Sequence, residues 1–277
     1  MPLTAVGHVR KMRGGAQAHL LEADDGHWYV VKFLNNPQHR RILVNELLAG
    51  AFLDYLKIAS PETAAIEVSA KFLETYPDVH LTLGTRRIAI SPGWHFGSRY
   101  PGDPDRLAVY DFLPDTLLSG VANLEDFLAV LVFDKWVCNS DGRQSVFYRA
   151  MVRDQAMPRG ERSPRPAFVA RMIDHGYAFN GPNWDFPDGP LHGLYPRKQV
   201  YEAVRSVHDF EPWLELVTHF PEEVVDQAWK RIPPAWVEGE EDALMAVLER
   251  LFERRKRVPE LIAACRHARG NPFPNWA

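Results

Sequence analysis

Residues 133–147 constrain the fold of this chain more than any other stretch. Phe133 to Cys138 complete an apolar run with helical spacing, and the run stops at Asn139-Ser140-Asp141-Gly142. These four residue types favour caps and turns, so the helix must end here. An apolar, strand-like pair, Val146-Phe147, follows soon after. The stretch therefore predicts a helix, a polar loop and a strand in close succession.

A second polar turn ends another apolar run further along the chain. Phe168 to Ile173 are mostly apolar, and Asp174-His175-Gly176 follow them. Asp141 and Asp174 are thus both delivered at the end of an ordered element, close to a glycine. Phosphotransferases hold a catalytic base and a metal ligand in this way. Taken alone, each aspartate is better explained as an ordinary turn residue, so other residues must decide.

Lys32 and Glu46 favour the functional interpretation of the two aspartates. Lys32 follows Trp28 to Val31, a predicted buried strand. A lysine on a buried strand face needs an anionic partner, whereas an edge-strand lysine simply points to solvent. Glu46 lies near the middle of an amphipathic helix predicted over 40–56, either on its polar face or within reach of the lysine. A strand lysine paired with a helix glutamate orients nucleotide phosphates in kinases.

The first 34 residues alternate as strands separated by turns at Gly14-Gly15 and at Asp24 to Gly26. The glycines at 14 and 15 would let backbone N–H groups approach a phosphate. A tight turn between surface strands explains them equally well. The pattern predicts further strands over 63–69 and 87–90, long loops over 93–105, 154–166 and 184–196, and helices over 117–138, 198–207, 211–219, 221–230, 240–255 and 258–268. Asn123 is the predicted N-cap of the helix that reaches Cys138.

Composition excludes several classes of protein. The formal net charge of -4 gives no electrostatic case for nucleic acid as a partner. The first fifteen residues lack the apolar core of a signal peptide, and no apolar run approaches the length of a membrane span. Two cysteines are too few for a disulfide framework and lack metal-ligand spacing. We therefore predict a cytoplasmic protein that binds neither membranes nor nucleic acid.

With these residues identified, the chain resembles the HipA-like kinases, whose core is related to the phosphatidylinositol 3/4-kinase fold. The resemblance is specific at Asn45-Glu46-Leu47, at Trp136 to Phe147, and at Ile173 to Gly176, which is similar to the Ile-Asp-Phe-Gly of lipid kinases. It implies an α+β, two-lobed protein-kinase/PI3-4-kinase-like fold. We expect a small antiparallel-sheet lobe over residues 1–95 and a mainly helical lobe over 96–277.

The resemblance also implies a role for each candidate residue. Asp141 would be the catalytic base and Asp174 the Mg²⁺ ligand. Lys32 would hold the α- and β-phosphates of ATP, with Glu46 orienting it. The bend that would lie over the phosphates consists of Arg13, Gly14, Gly15, Ala16 and Gln17. The implied reaction transfers the γ-phosphate of ATP to a hydroxyl, the acceptor being a Ser or Thr of a protein, and the family leaves room for an antitoxin-type partner.

The sequence departs from the family at two points. Such kinases carry an asparagine, as second metal ligand, at the position that Val146 occupies here, and we expect Gln144 or Asn139 to substitute for it through an amide oxygen. The nucleotide loop also has no serine for self-phosphorylation.

Two alternatives remain open: a pseudokinase that serves as an interaction module, which Val146 favours, and a kinase of the same fold for a small molecule or lipid. In the latter, the aromatic loop over 184–195 would close a small pocket.

Overall fold

Most strands of the chain lie before residue 100 and most helices lie after it. The structure is a computed structural model that describes residues 3–153, 164–268 and 270–276. Within these residues the strands are β1 (Leu3–Lys11), β2 (His19–Ala23), β3 (Trp28–Lys32), β4 (Thr63–Val68), β5 (His80–Leu83), β6 (Arg86–Ala89), β7 (Gly93–Arg99), β8 (Gln144–Val152) and β9 (Arg165–Ile173). The α-helices are α1 (Arg41–Tyr55), α2 (Ala70–Thr75), α3 (Asp115–Leu118), α4 (Asp126–Val137), α5 (Trp213–Thr218), α6 (Glu222–Trp229), α7 (Pro234–Val237), α8 (Glu241–Arg254) and α9 (Val258–Ala264). Shorter 3₁₀ segments cover Ala178–Asn183, Lys198–Tyr201, Val207–Phe210, Arg255–Arg257 and Cys265–His267.

Five strands close into a barrel in the order β1-β2-β3-β7-β4. The pairs are antiparallel except for β1 and β4, which run parallel with Leu3 opposite Ile66 and Thr4 opposite Glu67. The predicted antiparallel sheet is therefore correct apart from the pair that closes the ring. Apolar side chains on the inner faces of these strands, together with residues of the hairpin β5–β6, form a separate small core.

The segment 93–105, predicted to be a long ordered loop, contains a central strand of the barrel. Gly93–Arg99 forms β7, which lies between β3 and β4. Glycine is uncommon in strands, so its presence here argues against a strand. The fold requires glycine at position 97, because a Cβ there would approach Cγ1 of Ile66 to 2.5 Å. The predicted lobe boundary at residue 95 lies inside β7, so the barrel extends to Arg99. The division of the chain into 1–95 and 96–277 stays a prediction.

Helix α4 lies at the centre of the larger core. Its 12 residues are all buried, as expected for a helix with few polar positions on any face. The predicted helix over 117–138 corresponds to α3 and α4, separated by a turn. Asn123 is not the N-cap, a position that Glu125 takes. The Asn123 amide instead bonds the backbone of Ala170 in β9 and the carboxylate of Asp126, which holds it outside the helix.

Strands β8 and β9 form a two-stranded antiparallel hairpin between the two polar loops. Gln144 pairs with Ile173, so the first residue of one strand and the last of the other lie beside the predicted functional turns. The loop predicted over 154–166 lies largely outside the described residues, and β9 already begins at Arg165.

The C-terminal helices agree with prediction except for the first. The helices predicted over 211–219, 221–230, 240–255 and 258–268 are observed as α5, α6, α8 and α9 with its following 3₁₀ segment. The helix predicted over 198–207 is only the 3₁₀ segment Lys198–Tyr201, and α7 was not predicted. In the part of the chain that the structure describes, no helix has the length and apolar character to span a bilayer.

Candidate functional site

Strand β3 and helix α1 bring Lys32 and Glu46 together. The ammonium of Lys32 forms an ion pair with Oε1 of Glu46 and also donates to Oδ1 of Asp174 at 2.7 Å. The Lys32 and Glu46 side chains are only 12% and 4% exposed, whereas that of Asp174 is 35% exposed. Three of the predicted site residues are thus joined by one ammonium group. A lysine on a buried strand face needs an anionic partner, and Lys32 has two, the carboxylates of Glu46 and Asp174.

The three charges shift one another's pKa values. Burial alone would lower the pKa of Lys32, but the carboxylates of Glu46 and Asp174 outweigh it and raise that pKa. Burial raises the pKa of Glu46, and the charge of Asp174 adds to this effect against the attraction of Lys32. Burial also opposes ionisation of Asp174, yet Lys32 and Arg143 hold its pKa below the ordinary value. Two carboxylates and one ammonium leave a net negative charge, which favours a further cation at Asp174.

Asp174 is delivered by the end of β9 in an unusual backbone conformation. Its φ is 59°, in the left-handed region that non-glycine residues seldom adopt and that recurs at functional sites. Gln144, the first residue of β8, donates from Nε2 to Oδ2 of Asp174 at 2.9 Å. The hairpin register therefore places the amide of Gln144 directly beside the carboxylate. Val146, two residues further along β8, pairs with Arg171 and has no oxygen in its side chain.

The loop that follows α4 carries Asp141. Cys138 ends the helix in a left-handed conformation, with φ of 52°, and turns the chain towards solvent. Asn139 is buried, donating to Oδ1 of Asp134 at 2.9 Å and accepting from the backbone N–H of Asp141 at 3.3 Å. Asp141 itself is exposed, and its Oδ1 accepts from the N–H of Gly142 at 2.8 Å. Both ends of the Asn139 amide thus hold the loop, and its predicted role as a metal ligand stays a prediction.

A buried ion pair between Asp134 and Arg143 ties the two polar loops together. Both side chains have 0% exposure, and the guanidinium binds both oxygens of the carboxylate. Nη1 of Arg143 also donates to the carbonyl of Ile173 at 2.7 Å and lies 3.1 Å from Nδ1 of His175. Burial, reinforced by the charge of Arg143, lowers the pKa of His175 well below its usual value, so that the ring is neutral and Nδ1 accepts.

Sequence reasoning missed this ion pair. Its only signal is a charged residue, Asp134, inside the apolar run 127–137, followed by an arginine in the polar loop. A charge at such a position needs a partner, but the sequence does not say which residue supplies it.

The loop over 184–196 packs against the Asp141 loop. The N–H of Gly193 donates to the carbonyl of Asp141 at 2.9 Å, and the N–H of Arg143 donates to the carbonyl of Leu194 at 3.1 Å. Gly193 has φ of 70°, and a Cβ at this position would lie 2.2 Å from Cβ of Asp134. The glycine therefore permits the close approach that fixes the backbone of Asp141.

The Gly-rich bend of residues 13–17 is fastened to strand β5. Gly14 and Gln17 have φ of 116° and 50°, and the N–H of Gln17 closes a turn to the carbonyl of Gly14. The Gln17 amide accepts from the N–H and donates to the carbonyl of Thr82, both at 2.7 Å. Arg13, Gly14 and Gly15 are exposed, whereas Ala16 is buried. Nζ of Lys11 in β1 also donates to Oε1 of Gln17 at 2.9 Å. The predicted position of the bend over phosphates stays a prediction.

The residues around Asp174 have the chemistry of a magnesium site. Carboxylate and amide oxygens are the hard ligands that Mg²⁺ prefers, and this ion usually takes only one or two carboxylates from the protein and the rest from phosphates and water. Asp174 with Gln144 fits that description. Among the residues that the structure describes, no group of three or more His, Cys, Asp or Glu side chains could hold a metal by itself. Gln144 would have to turn its amide to offer the oxygen, because its Nε2 donates to Asp174, and a metal at these two residues stays a prediction.

Comparison with known proteins gives a family and a fold. Among solved structures, the chain is similar to the crystal structure of the Golgi casein kinase, with 13% sequence identity and a TM-score of 0.54 over 96% of this chain and 74% of that chain. The crystal structure of the Golgi casein kinase with Mn/ADP bound gives a TM-score of 0.52 at the same identity and coverage. The two likenesses confirm the kinase-like α+β fold. A search of curated protein sequences finds no match. Residues 7–149, just over half of the sequence, match the family model of HipA-like kinases, and the chain belongs to that family.

Proposed function

We propose that this protein is an ATP-dependent phosphotransferase that moves the γ-phosphate of ATP to a hydroxyl. The observation that carries the proposal is the contact of one ammonium, that of Lys32, with the carboxylates of both Glu46 and Asp174. These three residues come from a strand, a helix and a loop that are far apart in the sequence. A buried cluster of this composition serves little purpose in stabilising a fold, because desolvation of the charges costs about as much as their attraction returns.

Each residue then has a physical task. Lys32, held by Glu46, presents its positive charge to the α- and β-phosphates and stabilises negative charge that develops during transfer. Asp141, which is exposed and held at its backbone carbonyl by the N–H of Gly193, orients the acceptor hydroxyl and receives its proton. The bend over 13–17 covers the phosphates. Catalysis of this kind rests on positioning and electrostatics rather than on covalent chemistry.

Asp174 and Gln144 are the residues that would hold Mg²⁺. When bound, the ion supplies positive charge that neutralises the β- and γ-phosphate oxygens. The net negative charge of the cluster and the exposure of Asp174 support this assignment. The Golgi casein kinase structure with Mn/ADP bound supports a nucleotide with a divalent ion in a protein of similar fold.

The acceptor that we propose is a Ser or Thr of a protein, on the strength of the family and of the casein kinase likeness. An antitoxin-type partner stays a prediction of the family resemblance. The partly exposed loop over 184–196, which bonds the backbone of Asp141, is the segment that we expect to contact an acceptor.

Val146 favours a second candidate function, that of a pseudokinase. An apolar side chain replaces the second metal ligand of related kinases, and Gln144 is an uncommon substitute. A pseudokinase would bind ATP without dependence on Mg²⁺, or not at all, and would transfer no phosphate.

Transfer from γ-labelled ATP in cell extract separates the two functions. We compare the wild type with Asp141→Ala and Asp174→Asn, and use Asp242→Asn, an exposed position on α8, as the matched control. A kinase labels an extract component in the wild type and in Asp242→Asn but in neither site variant. An ATP-dependent rise in melting temperature without any label would indicate the pseudokinase. If neither appears, the proposal is wrong.

A further inference from the structure

Asn45 is a buried residue to which the proposed mechanism gives no role. It immediately precedes Glu46 on α1 and has 0% exposure. Its Nδ2 donates to the carbonyls of Gly176, Ala178 and Gly181 at 2.7, 2.9 and 3.0 Å. One side-chain amide therefore gathers three backbone oxygens of the segment that follows Asp174.

The amide of Asn45 is also held from the other side. Its Oδ1 accepts from Nε1 of Trp184 at 2.8 Å. This bond orients the amide, so that the NH₂ group must face the three carbonyls. Arg41, one turn earlier on α1, stacks 4.3 Å above the Trp184 ring and donates to the carbonyl of Pro182 at 2.8 Å. The same arginine forms an ion pair with Glu240 at 2.9 Å.

The segment that these residues hold is strained. Asp174, Phe179, Asn180 and Trp184 have φ values of 59°, 57°, 57° and 56°. Each such residue costs about 1–3 kcal/mol and persists only where its surroundings determine it. Hydrogen bonds within the segment alone do not make this conformation favourable. Contacts with α1 therefore stabilise this backbone conformation.

One face of α1 supplies the contacts. Ile42, Asn45 and Glu46 share this face because they are separated by three and four positions. A Cβ at Gly176 would lie 2.5 Å from Cγ2 of Ile42 and 3.6 Å from Oε1 of Glu46, so this face of the helix is in close contact with the segment. The helix itself is secured independently, since eight of its apolar residues are buried in the large core. Loss of the Asn45 bonds would therefore release the segment rather than the helix.

We propose that Asn45 is a positioning residue for Asp174. By fixing the segment 176–184 it keeps the carboxylate of Asp174 facing Lys32 and Gln144, in the conformation that accepts a metal with the nucleotide. This inference rests on the proposed function. It predicts that Asn45 acts on the binding of Mg²⁺-nucleotide and much less on the binding of nucleotide without metal. A residue with a purely structural role would weaken both equally.

The test compares Asn45→Ser and Trp184→Phe with a matched control in the full chain. Serine leaves space for water to reach the carbonyls, and phenylalanine removes only the Nε1 donor. Asn36→Ser is the control, because Asn36 is also buried and its Nδ2 also donates to two backbone carbonyls, those of Phe33 and His39. Calorimetry measures the Kd for ADP with Mg²⁺ and with EDTA.

We expect Asn45→Ser to weaken the binding of Mg²⁺-ADP about tenfold or more, the range found when partners of metal ligands are removed. Its binding of ADP in EDTA stays close to that of the wild type. Trp184→Phe shows the same change to a smaller degree, and Asn36→Ser leaves the ratio of the two Kd values unchanged. The inference is wrong if Asn45→Ser and Trp184→Phe both keep the wild-type ratio of the two Kd values. It is also wrong if Asn36→Ser changes that ratio.

Amide hydrogen exchange distinguishes this failure from a failure of the proposed function. Without any ligand, Asn45→Ser should speed exchange over 176–184 relative to the wild type and to Asn36→Ser, while exchange in α1 stays slow. Unchanged exchange over 176–184 overturns the positioning role itself. If the wild type binds no ADP while Asn45→Ser still exchanges faster over 176–184, the nucleotide function is wrong. The role of Asn45 in holding this segment would then stand.

Discussion

The Nζ atom of Lys32 lies 2.7 Å from Oδ1 of Asp174, although 142 positions separate the two residues in the sequence. The contact joins a barrel strand to the hairpin that ends beside α4. The same ammonium is paired with Glu46 on α1. Lys32 therefore connects the barrel, helix α1 and the end of the β8–β9 hairpin. Its removal should affect both the stability of the fold and phosphate transfer.

Lys32→Met should lower the free energy of unfolding at pH 7 by about 3–5 kcal/mol, because it leaves Glu46 as an unpaired buried charge. The loss should shrink as the pH falls, since the pKa of Glu46 is already raised and the residue then takes up a proton. Phosphate transfer should fall more than about a hundredfold. Denaturant titration and transfer from labelled ATP measure the two effects.

The control for this substitution is the double variant Lys32→Met/Glu46→Gln. It should recover most of the stability and none of the transfer. Recovery of transfer would contradict the role of Lys32. The exposed Lys71→Met should change neither quantity.

Gly193→Ala should lower both stability and turnover. The new Cβ would lie 2.2 Å from Cβ of Asp134, and φ of 70° already disfavours alanine. We expect a loss of about 2–4 kcal/mol in the free energy of unfolding. Since the N–H of Gly193 holds the carbonyl of Asp141, a shift on the order of 1 Å should cost about a hundredfold in kcat.

Gly26→Ala is a closely matched control for Gly193. Its φ of 76° is nearly the same, but a Cβ there would meet nothing within 4 Å. It should lose only the backbone term, about 1 kcal/mol, with kcat unchanged. Equal effects of the two substitutions would mean that the contact with Asp134 does not matter.

Arg143→Leu should be among the most destabilising single substitutions in the chain. It leaves Asp134 buried without its counter-ion, which costs about 3–5 kcal/mol. The double variant Asp134→Leu/Arg143→Leu should regain much of this stability but remain slow, because Ile173 and His175 have lost their donor. Arg106→Leu, at a pair whose arginine is 88% exposed, should change the free energy of unfolding by less than about 1 kcal/mol.

His95 should make stability fall between pH 6.5 and pH 4. Burial lowers its pKa to about 4 and outweighs the hydrogen bond to the carbonyl of Ser91, which raises it. In the neutral ring Nδ1 accepts from the N–H of Leu34. The unfolded chain takes up the proton first, near pH 6.5, so acidification favours unfolding until the folded ring also titrates. The loss from this residue reaches about 3 kcal/mol.

The measurement is the free energy of unfolding as a function of pH for the wild type and His95→Gln. The difference between the two should narrow as the pH falls from 6.5 to 4. A parallel curve for His95→Gln would contradict the assignment.

Local patterns predicted the elements that carry the site. The strand before Lys32 and the helix around Glu46 were predicted within one residue of β3 and α1, because hydrophobic periodicity is written within each segment. The polar turns at Asp141 and Asp174 were likewise visible as breaks in apolar runs. The structure joins Asp174 to Lys32, which is paired with Glu46, whereas the role of Asp141 beside them stays a prediction of the family resemblance.

Contacts between distant segments were not predictable from those patterns. Gly97 marks a strand only because Ile66 lies across the barrel, and Arg143 is a structural anchor only because Asp134 is beside it. Asn45 was noted as part of a motif, but its three carbonyl acceptors lie more than 130 positions away. In each case the structural role of the residue depends on a contact with a residue from a distant segment of the sequence.

The parallel pairing of β1 with β4 affects the behaviour of the protein at high concentration. By closing the ring, it gives β1 a second neighbour at Leu3 and Thr4, whereas the rest of β1 pairs with β2 alone among the described strands and keeps one open side. Val6 and Val9, which are 49% and 38% exposed, lie on this part of β1. The closure therefore shortens the open edge of the barrel, and the exposed Arg10 and Lys11 at the far end of β1 add charges that oppose pairing with a strand of another molecule.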